Sequence, residues 1–161
     1  MSVLRLATLI RRGHHIAEPA PAKPARFAGS EVLGGSVQVR YINAGGCNDC
    51  ALEVTAAFGP VYDVERYGAR LVPSPRHADV LLITGSVSRN MAEPLRRTIE
   101  ATPTPRFVIA VGDCALDGGA ARGGYGLAGP LSDFVHIDIH VPGSPPEPAA
   151  IVAALRQLTG R

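Results

Sequence analysis

The apolar positions of the chain fall into two kinds of run. Val37 to Ile42 alternates apolar and polar, the period of a strand with one face on a core. Val80 to Thr84 and Phe107 to Val111 are continuous apolar runs, as expected of strands buried on both faces, and glycines Gly85 and Gly112 close them. His136 to Val141 alternates again and predicts a last strand. Between these runs the spacing predicts helices. One covers Ala51 to Phe58, with Gly59 as its stop and Pro60 behind it. A second covers Ala92 to Ala101, with Pro94 in its first turn. A third covers Glu147 to Leu158 and ends at Gly160. Strands alternating with helices predict an α/β domain with a mostly parallel sheet.

The pattern begins only after about residue 35. Residues 3–10 place Val3, Leu6, Leu9 and Ile10 on one side of a short helix that ends in Arg11-Arg12. Such a segment can rest on a membrane face or a partner subunit, or pack on its own domain. Glu18 to Ala28 contains Pro19, Pro21 and Pro24 and reads as an extended linker. The expected division is therefore an arm over residues 1–35 and a domain over 36–161.

Composition narrows the functional classes. The formal net charge of +2 is too small for a nucleic-acid binder. The charge is uneven: Arg5, Arg11, Arg12, Lys23 and Arg26 face Glu18 alone in the first thirty residues. No run approaches the roughly 20 apolar residues that span a bilayer. Arg11-Arg12 is followed by a polar, proline-rich stretch rather than the apolar segment of an export signal, so the expectation is a cytoplasmic protein. Three cysteines, two of them closely spaced, suit metal or redox chemistry better than a secreted disulfide framework.

In open parallel sheets the ligand site lies beyond the carboxyl ends of the strands. Cys47 and Cys50 follow the first strand, Cys114 follows the strand at 107–111, and Ser144 follows the strand at 136–141. All four positions are thus expected on one edge of the sheet. Cys-x-x-Cys at a helix start serves thiol–disulfide exchange, half of a zinc site, or part of an iron–sulfur site. Cys114 favours the last, because thiolates at the ends of different strands suit a cluster the size of a cubane. Gly45, Gly46, Gly112 and Gly143 would let backbone approach it. Taken alone, Cys114 reads equally well as an ordinary buried thiol.

Several longer segments carry a resemblance. They are Gly46-Cys47-Asn48-Asp49-Cys50 with Glu53, Asp63-Val64-Glu65-Arg66-Tyr67-Gly68, and Ser74-Pro75-Arg76-His77-Ala78-Asp79-Val80. Then come Thr84-Gly85-Ser86-Val87-Ser88-Arg89-Asn90-Met91, Gly112-Asp113-Cys114-Ala115 with Gly118-Gly119, and Val141-Pro142-Gly143-Ser144-Pro145-Pro146. In this order, from Gly46 to Leu158, the chain resembles the small, cluster-bearing subunit shared by respiratory complex I and membrane-bound nickel–iron hydrogenases. Complex I members carry adjacent cysteines at the first site. The Cys-x-x-Cys spacing here is similar to the hydrogenase branch, typified by formate hydrogenlyase.

The resemblance implies a flavodoxin-like, three-layer fold and one 4Fe-4S cluster. It implies a larger catalytic partner subunit, membrane-arm subunits, a ferredoxin-like subunit and a place on the inner face of the cell membrane. The implied role is electron transfer alone, with no nickel and no NAD bound. It would place the ligands at Cys47, Cys50, Cys114 and position 144, where this chain has Ser144 instead of cysteine. A hydroxyl is a far poorer iron ligand than a thiolate. Ser144 could ligate as an alkoxide, the corner could be open or the cluster 3Fe-4S, or the site could be empty in a subunit kept as scaffold. A free thiol–disulfide protein using Cys47 and Cys50 is a further alternative.

Other polar residues have ordinary readings beside functional ones. Glu53 favours a helix N-terminus electrostatically, or passes protons near a partner. Arg76 or His77 could tune a cluster, or pair with Asp79 at the surface. Asp113 reads as a solvated carboxylate or as a neighbour of the site. His136 and His140 read as solvent-face or core histidines rather than ligands. Gly118 to Gly126 lacks the register of a nucleotide-binding glycine loop.

Overall fold

The computed structural model describes residues 7–8 and 21–161. Ala7 and Thr8 are helical; the rest of the amphipathic segment expected over 3–10 lies outside the described residues. Five parallel strands form the main sheet in the order β2-β1-β3-β5-β7: β1 (Val37–Asn43), β2 (Ala69–Leu71), β3 (Val80–Thr84), β5 (Phe107–Val111) and β7 (Ile139–Val141). β4 (Val87–Ser88) and β6 (Leu127–Gly129) make a small antiparallel pair beside it. The helices are α1 (Asp49–Ala57), α2 (Arg89–Ala101), α3 (Asp113–Asp117) and α4 (Pro148–Thr159). None among the described residues is long and apolar enough to cross a membrane.

The two continuous apolar runs become the central strands β3 and β5, buried at every position. Alternate side chains of the sheet feed two cores. Val37, Val39, Val80, Leu82, Ile109 and Val111 pack with Val54 of α1 and Ile151, Leu155 and Leu158 of α4. Ile42, Leu81, Ile83, Val108 and Ala110 pack on the other face with Leu95 and Ile99 of α2. The result is the helix–sheet–helix, three-layer α/β fold that the run pattern requires.

The structure refines the expected elements. β7 covers only Ile139–Val141, and His136 lies outside it, so the two histidines do not share a strand face. α2 begins at Arg89, three residues earlier than expected, which puts Pro94 inside the helix rather than in its first turn. The short strands β2, β4 and β6 and helix α3 carry no periodic signal long enough to read. The described part of the proline-rich segment, from residue 21 on, is laid against the domain. Phe27 N–H donates to Gln157 O at 2.9 Å, Arg26 Nη2 to Thr159 O at 3.0 Å, and Arg156 Nη2 to Ala22 O at 2.7 Å.

Candidate metal centre

Three loops meet at the carboxyl edge of the sheet. The first joins β1 to α1. Asn43, the last residue of β1, folds this loop by accepting the Gly45 and Gly46 N–H groups on Oδ1, at 3.0 and 2.9 Å. Its Nδ2 reaches Asn48 Oδ1 at 3.3 Å. Gly46 lies so close to Gly85 that a Cβ on it would sit 2.9 Å from the Gly85 Cα. Only glycine fits there, and the contact pins the cysteine loop to the end of β3. Cys47 is exposed and its thiol donates to Asp49 Oδ2 at 3.4 Å. Cys50, one residue into α1, is buried.

The second loop joins β5 to α3. Gly112 has φ +88°, and a Cβ there would meet the Cys50 Sγ at 2.7 Å. Cys114 is half-buried, and a Cβ at Gly119 would strike its Sγ at 2.5 Å. Ser86 Oγ lies 3.0 Å from both Cys114 O and Gly118 O, tying this loop to the segment after β3. The third loop joins β7 to α4. It is held by Gly112 N–H to Val141 O at 2.8 Å and by a pair of bonds between Asp113 and Gly143. Ser144 is exposed, with its Oγ 3.9 Å from the Cys114 Sγ.

The structure thus brings together all four positions singled out in the sequence. The electrostatics report the same convergence. The Cys50 thiol is pushed up to about 11, first by burial, then by Cys114, Cys47 and Asp49, whose negative charges oppose its ionisation. Asn43, Thr84, Gly85 and Cys114 line a narrow cleft together with Cys47 and Cys50. Among the described residues no three His, Cys, Asp or Glu side chains are grouped to hold a single metal ion.

An iron–sulfur cluster fits this donor set on three grounds. Soft thiols on separate loops are its usual ligands. Glycines stand where a Cβ would occupy the space beside Cys50 and Cys114. Burial first, and then the neighbouring Cys114, Cys47 and Asp49, disfavour the charged form of Cys50, and cationic iron would offset this by stabilising the thiolate. The fourth position offers a hydroxyl, a weaker donor.

Residues outside the cysteines fall into place around this edge. The sequence signal for Asn43 is an Asn that closes a strand just before a glycine pair; Ser86 stands out only as part of the Thr84–Met91 segment of the resemblance. His140 Nε2 is buried, lacks a hydrogen-bond partner, and lies 3.9 Å from Asp113 Oδ1, whereas the His136 side chain is 89% exposed. The Arg76 and His77 side chains are exposed and do not pair with Asp79, which instead accepts the Gln38 N–H at 2.8 Å. The Gly118–Gly126 segment borders a cleft of about 530 Å³ with Arg89 stacked 4.5 Å over the Tyr125 ring.

Comparison with known proteins agrees with this arrangement. Residues 47–158 match the family model described as NADH ubiquinone oxidoreductase, 20 Kd subunit. The chain is 43% identical to the probable membrane-bound hydrogenase subunit mbhJ of Pyrococcus furiosus, over 74% of this chain and 72% of that one. It is 40% identical to formate hydrogenlyase subunit 7 of Escherichia coli, over 78% of this chain, and spans about half (49%) of that relative's length. Among solved structures it is similar to a chain of the membrane-bound sulfane sulfur reductase, an archaeal respiratory membrane complex. That match has TM-score 0.68 and 27% identity, over 81% of this chain and 74% of the other. The matched span runs from Cys47, within the first strand-end loop, through the second and third loops, and the chain therefore belongs to the NADH ubiquinone oxidoreductase 20 kDa subunit family.

Proposed function

We propose that this chain is the electron-transfer subunit of a membrane-associated oxidoreductase complex of the hydrogenase or NADH:quinone type. Cys47, Cys50 and Cys114 would hold one iron–sulfur cluster of the 4Fe-4S class, with Ser144 at the fourth corner. The observation that carries this is the convergence of three thiols from two loops, with glycines clearing the space beside Cys50 and Cys114. When bound, such a cluster supplies a one-electron store with no proton-transfer chemistry of its own.

The residues around it have distinct tasks. Cys50 anchors the buried side, where burial keeps water from the ligand bond. Cys47 and Ser144 lie on the exposed side, where a larger catalytic subunit would dock and complete the exclusion of water. Asn43 and Ser86 hold the loops in register. The relatives' names place them in membrane-bound hydrogenase and formate hydrogenlyase. By that likeness the chain works on the inner face of the cell membrane, peripherally, alongside membrane-arm and ferredoxin-like subunits. The cytoplasmic site keeps exposed Cys47 reduced and free for iron.

Ser144 favours one specific second reading: a scaffold subunit that keeps the interface after losing the cluster. Protein purified anaerobically with its partner subunits separates the two. Iron and acid-labile sulfide are measured, and EPR spectra are recorded as isolated and after dithionite, for the native chain and Ser144→Cys. The expected result is about four irons with a reduced-state signal that shifts in Ser144→Cys; about three irons with an oxidised-state signal means an open corner. No iron in the native chain, with a cluster restored by Ser144→Cys, establishes the scaffold.

A further inference from the structure

We propose that Asp113 is a positioning residue that presets the fourth corner of the centre, by clamping the Gly143–Ser144 loop onto the loop of Cys114. Two hydrogen bonds run in opposite directions between the same two residues. Asp113 N–H donates to Gly143 O at 2.9 Å, and Asp113 Oδ1 accepts the Gly143 N–H at 3.0 Å. The first lies past the end of the β5–β7 ladder, where the bond from Gly112 N–H to Val141 O is the last and Asp113 already opens α3. The second satisfies the Gly143 amide at the turn. A solvated carboxylate would show neither the side-chain bond nor its closure on a single residue.

The loop has little freedom of its own. Gly143 has φ +126°, and a Cβ there would meet the Pro146 Cα at 2.7 Å. Fixing Gly143 therefore fixes the next residue, Ser144, whose Oγ stands 3.9 Å from the Cys114 Sγ. Buried His140 Nε2, 3.9 Å from the same Oδ1, is beyond hydrogen-bond reach, so this oxygen is committed to Gly143. Protein hydrogen bonds hold the corner. It keeps its place with a hydroxyl there, and it would deliver a thiol to Cys114 with no rebuilding of the loop. Its relevance to the cluster rests on the proposed function; the clamp itself does not.

The clamp is tested on the full chain without metal. In a Cys47→Ser, Cys50→Ser background, Ser144→Cys leaves two thiols, and their disulfide formation is timed under a glutathione redox buffer at fixed pH. Rapid cross-linking is expected, because the sulfurs start close to bonding geometry. Asp113→Ala is expected to slow it roughly three- to ten-fold, the population change one lost hydrogen bond brings. Asp113→Asn retains an oxygen acceptor and is expected to restore the rate. Hydrogen exchange at the Gly143 amide should quicken in Asp113→Ala by a similar factor. Should Asp113→Ala not fold, Asp113→Glu keeps the charge but misplaces the oxygen, and the same slowing is expected. Equal rates in all variants, or no cross-link in the parent, would overturn the proposal. Iron assayed on the native chain and Ser144→Cys in the co-expressed complex answers the separate question. Its absence from both removes the cluster and leaves the cross-linking rates to decide the clamp.

Discussion

At the scale of single residues, the two cysteines of Cys-x-x-Cys do different work. Cys47 is exposed, with its thiol hydrogen-bonded to the Asp49 carboxylate. A thiol–disulfide enzyme builds its reactive thiol the other way, against positive charge. Cys50 is buried, and its pKa is raised from 9.0 to about 11. In metal-free protein this has a definite sign. Between about 9 and 11 the unfolded chain has lost the Cys50 proton while the folded chain keeps it, so stability falls as pH rises through that window. The urea midpoint of the metal-free chain is expected to drop from pH 9 to pH 11, and the drop to shrink in Cys50→Ala. Tyr41 adds to it above pH 10 with the same sign, since burial raises its hydroxyl against the opposing bond to Thr84. A midpoint no more pH-sensitive in native chain than in Cys50→Ala would show that burial and its neighbours do not raise the Cys50 thiol.

At the scale of elements, legibility followed the length and burial of each run. β3 and β5 take the bounds the sequence predicts because a strand covered on both faces must be apolar throughout. The end of β5 places Cys114, and the alternating runs that become β1 and β7 place Cys47, Cys50 and Ser144 on the same edge. β2, of three residues, and α3, of five, were too short to show a period, so their existence depends on tertiary contacts. The roles of Asn43 and Ser86 were invisible for a different reason: their hydrogen bonds join loops that only the fold brings together. The prolines of Glu18 to Ala28 predict an extended linker. Phe27, however, packs edge-on against Phe107 with ring centroids 5.9 Å apart, and its N–H ties the segment to α4. Phe27→Ala is expected to cost roughly 1–2 kcal/mol, as befits a half-buried aromatic. Denaturant unfolding measures it, and a change within about 0.5 kcal/mol, the range of an ordinary surface substitution, would show that the segment is only resting on the domain.

At the scale of the whole molecule, apolar surface is exposed where the cysteines are. Leu52 in α1, two residues after Cys50, is 66% exposed, and Leu116, two residues after Cys114, is 41% exposed. A lone exposed leucine needs no explanation, but two flanking one candidate centre are what an interface core presents. The proposed complex accounts for them: a catalytic subunit seated over the carboxyl edge would cover Leu52, Leu116, Cys47 and Ser144 together. Leu52→Asp adds a charge at that face without touching a core position, so the isolated chain should unfold at the native midpoint. Co-purification with the large subunit should fall at least roughly ten-fold, as burying an unpaired carboxylate requires. Val61, 83% exposed on the connection leaving α1, supplies the control. It lies beside Tyr62, Arg66, Ala149, Val152 and Arg156, away from the thiols, and Val61→Asp should leave co-purification unchanged. Equal loss in both variants would mean that partner binding is not organised around the cysteine edge. Loss in Leu52→Asp alone would tie docking to the same loops that hold the thiols, so that assembly and exclusion of water from the centre are one event.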